Sequence, residues 1–444
     1  MAELYTTELS RRGFLLGSAA GTLALTNPLC WLQAAEEGRR PKVAVVFTEC
    51  THRSHAHVIL ENFLEPYLFN GHLTNSSVEV VSFYADQLPE DRDMIRKASK
   101  QYGIPLFKTI DEALCLGGDK LAVDGVLSIG EHGDYPSNEL GQHMYPRKEF
   151  FDQIVAVMKR SNKFVPMFND KHLSYRWDWA KEMVDTAGEL GIPLMAGSSV
   201  PLAERQPPLE LPAGLEIEEA ISIHGGGVES YDFHALEVLQ SMVEARQGGE
   251  TGISRVEFLD HEALWKAADE GRWSRELARA ALETTTNEPF EKLEDLEETR
   301  GKAHGILLEY RDGMRGLILR LSGGGTKWQF ACRVKDDPEF KATSFYVGPW
   351  ENRNLFKALS HAIQYHLTYG QAPYPVERTL LVSGILDAVM HARSEGGKPR
   401  DTPELEFAYP AKDYQAFREM GASWKILNED IPQPAWFDPQ GDKP

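Results

Sequence analysis

The chain has 444 residues, 42% hydrophobic and 26% charged, so it is long enough for more than one domain and apolar enough to build real cores. Its formal net charge is −20, and no basic patch interrupts the acidic balance. DNA, RNA and anionic membrane are therefore excluded as partners, because phosphate contacts require clustered cations. Four cysteines, Cys30, Cys50, Cys115 and Cys332, are scattered without a CxxC pair, which argues against a disulfide framework or a zinc knuckle.

The N-terminus reads Ser10, Arg11, Arg12, Gly13, Phe14, Leu15, followed by a short apolar run to Trp31. This is the pattern of a twin-arginine export signal over residues 1–35, and it implies a periplasmic protein. Ala34 and Ala35 offer a small-residue cleavage site; retention as an anchor is the alternative. No later stretch approaches the roughly 20 consecutive apolar residues of a membrane span.

From Lys42 to Glu49 the chain is apolar and β-branched, which predicts a buried parallel strand. A turn over Cys50–His57 leads to a helix over His57–Leu68. Further strands are predicted at Val78–Tyr84, Leu106–Phe107, Val123–Ile129, Phe164–Phe168 and Pro193–Ala196. Helices are predicted at Ile95–Tyr102, Ile110–Leu116, Phe150–Arg160 and Trp177–Leu190, the last opened by Ser174 as its cap. Strand and helix alternate, so residues 42–203 form an α/β, Rossmann-like doubly wound parallel sheet with right-handed crossovers.

Pro201–Pro212 holds four prolines and reads as a linker. Beyond it come a strand at Leu215–His224, a helix at Asp232–Gln247, a strand at Ser254–Leu259, helical material to Leu282 and a charged stretch at Glu288–Arg300. Gly305–Arg311 and Met314–Ser322 alternate around Arg311, Asp312, Gly313, a hairpin signal. Trp328–Val334 and Thr343–Val347 extend the sheet, and Gly323, Gly324 and Gly325 read as a turn, since no capped helix follows them. Helices at Asn352–Tyr369 and Val376–Glu395 complete an α+β domain over 204–406, built on an open, mainly antiparallel sheet with one face available. Residues 407–444 form an irregular tail.

Chemistry-bearing side chains collect after the strands of the first sheet, the edge where open α/β sheets bind ligands. Asn169, Asp170, Lys171 and His172 follow one strand. Glu131, His132 and Asp134 follow another, with His143 and Arg147 beyond, and Thr48, Thr51, His52, Arg53, Ser54, His55 and His57 lie in or beside the first turn. A desolvated lysine there can serve as an acid or base near neutral pH, although pairing of Lys171 with Asp170 is the bland alternative.

Several segments, in order, resemble the glucose-fructose oxidoreductase, inositol dehydrogenase and MocA (Gfo/Idh/MocA) family. They are Tyr102–Leu114, Val123–Ile129, the Asn169–His172 turn in place of the family's E-K-P, Gly225–Leu239, and Val376–Ala392 with Gly396 and Gly397. The resemblance implies that Lys171 contacts cofactor and substrate. It implies that His234 is the general acid/base taking a proton from a sugar hydroxyl as hydride leaves carbon. Asp170 and Asp232 join them as catalytic residues; where the family has an aspartate four residues before this histidine the chain has Ser230, for which Glu229 or Asp232 stands in. His172, His132, Asp134, Arg147, His224 and Glu229 are candidates for holding a sugar or polyol.

The first turn departs from the family's G-x-G-x-x-G. Over Glu49–His55 there is no glycine to let the backbone approach a pyrophosphate. Thr48, Thr51, Arg53, Ser54 and Glu131 are the residues left to bind NAD(P) by side chain. A divalent metal is the other cofactor open to such a set, with His52, His55 and His132 as candidate ligands. Tyr135, Tyr145, Trp177, Trp179 and Trp350 are candidates for stacking on a sugar ring, although Trp177 and Trp179, two apart on a helix, cannot both face one ligand.

The leading reading is an exported oxidoreductase-type enzyme on a sugar or polyol derivative. A dinucleotide-independent lyase, epimerase or hydrolase, metal-assisted or not, is the second. A non-catalytic periplasmic sugar-binding protein is the third. The open sheet face is expected, from the resemblance, to serve a homo-oligomer.

Overall fold

The computed structural model describes residues 39–285, 303–321 and 328–427. The export signal, the charged stretch 288–300, Gly323–Gly325 and the end of the tail lie outside the described residues. Two sheets organise the rest. The first consists of β1 (Lys42–Phe47), β4 (Glu79–Ala85), β5 (Leu106–Phe107), β6 (Gly125–Ile129), β7 (Met167–Asp170) and β8 (Leu194–Gly197); a small hairpin, β2 (Tyr67–Phe69) with β3 (His72–Thr74), stands apart. All its pairings are parallel and its order is β5-β4-β1-β6-β7-β8. This is the doubly wound order whose direction reverses beside β1, opening a crevice at the carboxyl ends of the strands.

Burial on both sides explains the unbroken apolar runs. Val43, Val45 and Phe47 of β1 face a core shared with α1 (His55–Leu64) and α2 (Ile95–Tyr102), while Ala44 and Val46 face α3 (Ile110–Cys115) and α4 (Arg147–Ser161), with α5 (Trp177–Leu190) on the same side. Strand β7 continues through Asn169 and Asp170, past the apolar run, because both keep pairing with β8. Ser174 does not cap α5: the helix begins at Trp177, and Ser174 Oγ accepts from the Arg176 N–H at 3.3 Å in the preceding turn.

The second sheet has eight strands in the order β16-β11-β12-β13-β10-β14-β15-β9. They are β9 (Glu204–Gln206), β10 (Ile217–His224), β11 (Ile253–Asp260), β12 (His304–Tyr310), β13 (Arg315–Arg320), β14 (Trp328–Val334), β15 (Lys341–Tyr346) and β16 (Arg400–Asp401). It is antiparallel except for β10 with β13. The proline-rich stretch is not a bare linker, since β9 pairs with β15 within it.

One face of this sheet rests on α6 (Asp232–Val243) and α10 (Val376–Ser394). The other, expected to be available, is covered by α7 (His261–Asp269) and α8 (Arg275–Glu283), whose Leu264, Leu277, Ala281 and Leu282 pack on Ile221, Ile223, Leu317 and Leu319. Helix α9 (Asn352–Tyr369) returns to the first lobe: Phe356, Leu359, Ile363 and Leu367 enter the core beneath β1, and Arg353 forms a buried pair with Glu61 of α1 at 2.6 Å. The tail is anchored by buried Tyr409, Tyr414 and Arg418. No helix among the described residues is long and apolar enough to cross a membrane.

Candidate active site between the lobes

A cavity of about 430 Å³ lies between the lobes, where β1, β6, β7 and β8 end. His55, Glu131, His132, Lys171 and Ser199 reach it from the first lobe; Ser230, Tyr231, His234 and Trp328 reach it from the second. Larger hollows, beside Pro193–Leu194 and beneath the tail, lie away from these strand ends.

Lys171 stands at the end of β7 with φ +62°, and its Nζ donates to Glu131 Oε1 at 2.7 Å. Its partner is thus Glu131 rather than the adjacent Asp170. Glu131 also accepts from Arg147, which is fully buried and places a second nitrogen 3.1 Å from His172 Nε2. A Cβ at Gly130 would lie 2.7 Å from Arg147 Cγ, so glycine there lets the guanidinium pass beneath the loop. Burial would raise the Glu131 carboxyl, but Lys171 and Arg147 outweigh it and hold the group well below its ordinary range.

Asp170 Oδ2 lies 2.6 Å from His55 Nδ1, and Ser198 Oγ lies 2.7 Å from His234 Nδ1. Each imidazole is oriented through one nitrogen, leaving Nε2 for the cavity. Burial, followed by the charges of Lys171 and His55, holds His234 neutral at physiological pH. His132 is pushed down to about 4, chiefly by burial and by the neighbouring His55. His172 is held well below its ordinary range by burial and Arg147, and its place behind the cavity makes it a support for Arg147 rather than a substrate contact.

Glu229 is buried beside these groups without lining the cavity. Its Oε2 accepts only a long bond from the His143 N–H at 3.5 Å, its Oε1 has no partner, and burial raises its carboxyl to about 7. Arg53, His132, Lys171 and Glu229 all have positive φ, a clustering of strained non-glycine backbone that accompanies functional sites.

Other expected residues fall elsewhere. Asp134 is exposed, its backbone held by the Gln87 side chain. Asp232 and His224 lie behind the cavity, where Asp232 Oδ1 accepts from His224 Nε2 at 2.9 Å and from His304 Nε2 at 2.8 Å, and Oδ2 accepts from the Glu229 N–H. Burial would raise Asp232; the two imidazoles overcome it and drive the group far below the usual carboxylate range.

The proposed metal set is not assembled: His52 packs on His57 with ring centroids 5.6 Å apart, while His55 and His132 face each other at 5.0 Å. The one trio at metal-binding spacing among the described residues is His224, Asp232 and His304. It does not fit a metal well. The Gly226 N–H points at His224 Nδ1 at 3.3 Å, which makes that nitrogen an acceptor and places the proton on Nε2, aimed at Asp232.

The NAD(P) residues do not fit a pyrophosphate either. Thr48 Oγ1 donates to the Glu131 carbonyl, Thr51 Oγ1 to Glu49, and the Arg53 guanidinium to Glu351; Ser54 Oγ caps α1. Of the aromatic candidates, Tyr145 lines the cavity, whereas Trp177 packs on Phe407, Trp179 on Tyr175, and Trp350 is buried. The aromatic wall is instead Tyr231 stacked on Trp328 at 5.6 Å, with the Tyr231 ring folded over Gly226, where a Cβ would lie 2.0 Å away. Ser198, Tyr231, Trp328 and His304 were not singled out in the sequence. For Ser198 the signal existed, since it directly follows β8 at the ligand-binding edge.

No protein-family model matches the chain, and no curated protein matches it in sequence. Solved structures do share its fold. GenD2 from gentamicin A biosynthesis, in complex with NAD, superposes with a TM-score of 0.53 at 12% identity, over 82% of this chain and 96% of that one. Myo-inositol 2-dehydrogenase from Lactobacillus plantarum gives 0.50 at 10% identity, covering 82% and 99%. Myo-inositol dehydrogenase from Corynebacterium glutamicum gives 0.50 at 13%, covering 82% and 98%. The chain therefore shares the two-lobed fold of these structures, a parallel Rossmann sheet joined to a mixed sheet.

Proposed function

We propose, from the premise of this fold, that the chain is an enzyme moving protons on a small, uncharged sugar or polyol derivative in the interlobe cleft. One observation carries the reading: three partner-held proton-handling groups, Ser198–His234, Asp170–His55 and Glu131–Lys171, converge from both lobes on one cavity. His234, kept neutral by burial, takes a proton from a substrate hydroxyl through Nε2 while Ser198 holds Nδ1. Lys171 donates to the oxygen that gains charge. His55, steadied by Asp170, returns a proton to the substrate on the other side, so that its proton count is unchanged.

Charge supports an uncharged substrate. The cations Lys171 and Arg53 are matched by Glu131 and Glu351, so the cavity offers no excess of either sign. Tyr231 and Trp328 present flat apolar faces suited to the C–H side of a sugar ring. Hydride transfer to NAD(P) is the second reading, favoured by the doubly wound strand order and by the place of Lys171 at the switch-point edge. The turn residues do not fit the dinucleotide, and no step is assigned to it.

A thermal-shift screen of sugars and polyols identifies a ligand, and turnover of that ligand tests the roles. His234→Gln and Lys171→Met should each lower turnover by roughly 10²- to 10⁴-fold with folding retained. Unchanged turnover in both variants would sink the assignment. Export by the twin-arginine route is part of the same proposal and rests on Ser10–Leu15; Arg11→Lys with Arg12→Lys should leave the protein in the cytoplasm, as fractionation would show.

A further inference from the structure

We infer that this protein works without NAD(H) or NADP(H), because its first strand-to-helix turn is a self-bonded plug clasped by the second lobe's return helix rather than a phosphate cradle. The inference uses the proposed cleft reading only to say where substrate sits; the turn stands on its own geometry.

A dinucleotide's pyrophosphate is held where a turn leaves backbone N–H groups unspent at a helix N-terminus and no side chain blocks their approach. Here five of those donors are already engaged. The Thr51 N–H goes to Ser54 Oγ at 3.1 Å and the Ser54 N–H to the Thr51 carbonyl at 3.0 Å. The Arg53 N–H goes to His57 Nδ1 at 2.8 Å, the His55 N–H to His132 Nδ1 at 3.4 Å, and the His57 N–H to Ser54 Oγ at 3.4 Å.

The turn also carries a carboxylate. Glu49 is 2% exposed, accepts from Thr51 Oγ1 at 3.1 Å and is ion-paired with Arg92 at 3.2 Å, so its side chain is tied into the turn. Finally, the entrance to α9 lies across the turn. Glu351 pairs with Arg53 at 3.0 Å, Asn352 Nδ2 donates to the Arg53 carbonyl at 2.9 Å, and Phe356 packs edge-on against His55 at 4.5 Å. Admitting a dinucleotide at this turn would require breaking these bonds. The His234, Lys171 and His55 groups stay open to the cavity without it.

The test uses the full-length protein as purified. After acid denaturation, mass spectrometry should find no stoichiometric dinucleotide in the supernatant. Trp328 lines the cavity, so excitation transfer from protein tryptophan to added NADH or NADPH reads binding directly; no saturable transfer is expected up to about 1 mM. The polyol identified by thermal shift should raise Tm equally with and without NAD⁺. Stoichiometric release, a Kd tighter than about 100 µM, or polyol binding only when NAD(P) is present would each overturn the inference and leave the cleft assignment standing. Absence of dinucleotide binding together with absence of any polyol shift would uphold it and sink the cleft assignment instead.

Discussion

Glu229 gives the most direct check on the electrostatics of the cleft. Its carboxyl is carried from an ordinary 4.5 to about 7, first by burial and against the pull of Arg147; the groups facing it are Arg147, Lys171, Glu131 and the His143 backbone. A carboxyl raised on folding binds its proton more tightly in the folded state, so its contribution is intact below pH 4.5 and is lost as pH rises through 7. Between pH 5 and 8 that loss amounts to roughly 2 to 3 kcal/mol. Glu229→Gln removes the titration while keeping shape, so the Tm of the variant minus that of the wild type should grow with pH. With unfolding entropy of about 2.1 cal/mol/K per residue, the growth is roughly 3 °C. Glu237, also buried and raised to about 7, titrates in both proteins and cancels. Differential scanning calorimetry at pH 5 and 8 decides it; a difference that is flat or shrinks with pH would refute the account.

Three further outcomes follow from buried polar groups. Asp232→Asn replaces a carboxylate that accepts three N–H groups, and should cost on the order of 3 kcal/mol, read as a lowered Tm. Because the same trio reads as a hydrogen-bond hub, EDTA should leave the wild-type Tm unchanged; a chelator-induced fall would make it a metal site. Arg353→Met removes the buried guanidinium paired with Glu61 between α1 and α9 and should cost about 3 kcal/mol in chemical denaturation; adding Glu61→Leu should deepen the loss, because it leaves buried Lys357 without its carboxylate.

Much of the first lobe was legible because its signals are local. Helix α2 and strand β5 coincide with the residues expected from periodicity, and α5 begins at Trp177 as the apolar spacing requires, though not under the expected cap. Long-range pairing was not legible. β7 extends through polar Asn169 and Asp170 because β8 keeps bonding to them, and the proline-rich stretch hides an edge strand whose partner lies far along the chain.

At the site, the sequence placed Lys171, His55 and Glu131 at one sheet edge, the family resemblance set His234 opposite them from the second domain, and the structure joins all four in one cavity. It could not show that Lys171 pairs with Glu131 across two loops, or that His304, from a strand far downstream, shares Asp232 with His224. Those partners depend on a fold of both lobes, which no window of residues contains.

The second sheet bears on assembly. A sheet whose free face is apolar invites a second copy, and that was the expectation from resemblance. In this chain the face is already occupied: α7 and α8 place Leu264, Ala267, Leu277, Ala278, Ala281 and Leu282 on it. The fit is close, since a Cβ at Gly305 of β12 would lie 2.6 Å from Leu264 Cδ1. Pairing two copies through this face would first require lifting both helices and exposing their apolar side, which costs roughly 25 cal/mol for each Å² returned to water. Light scattering of the purified protein should therefore show no dimer that depends on this face. If a dimer forms, Leu317→Glu, which disrupts the packing beneath the helices, should leave its dissociation constant unchanged wherever the variant still folds; a selective loss of dimer in a folded Leu317→Glu protein would show that α7 and α8 do move aside for a partner.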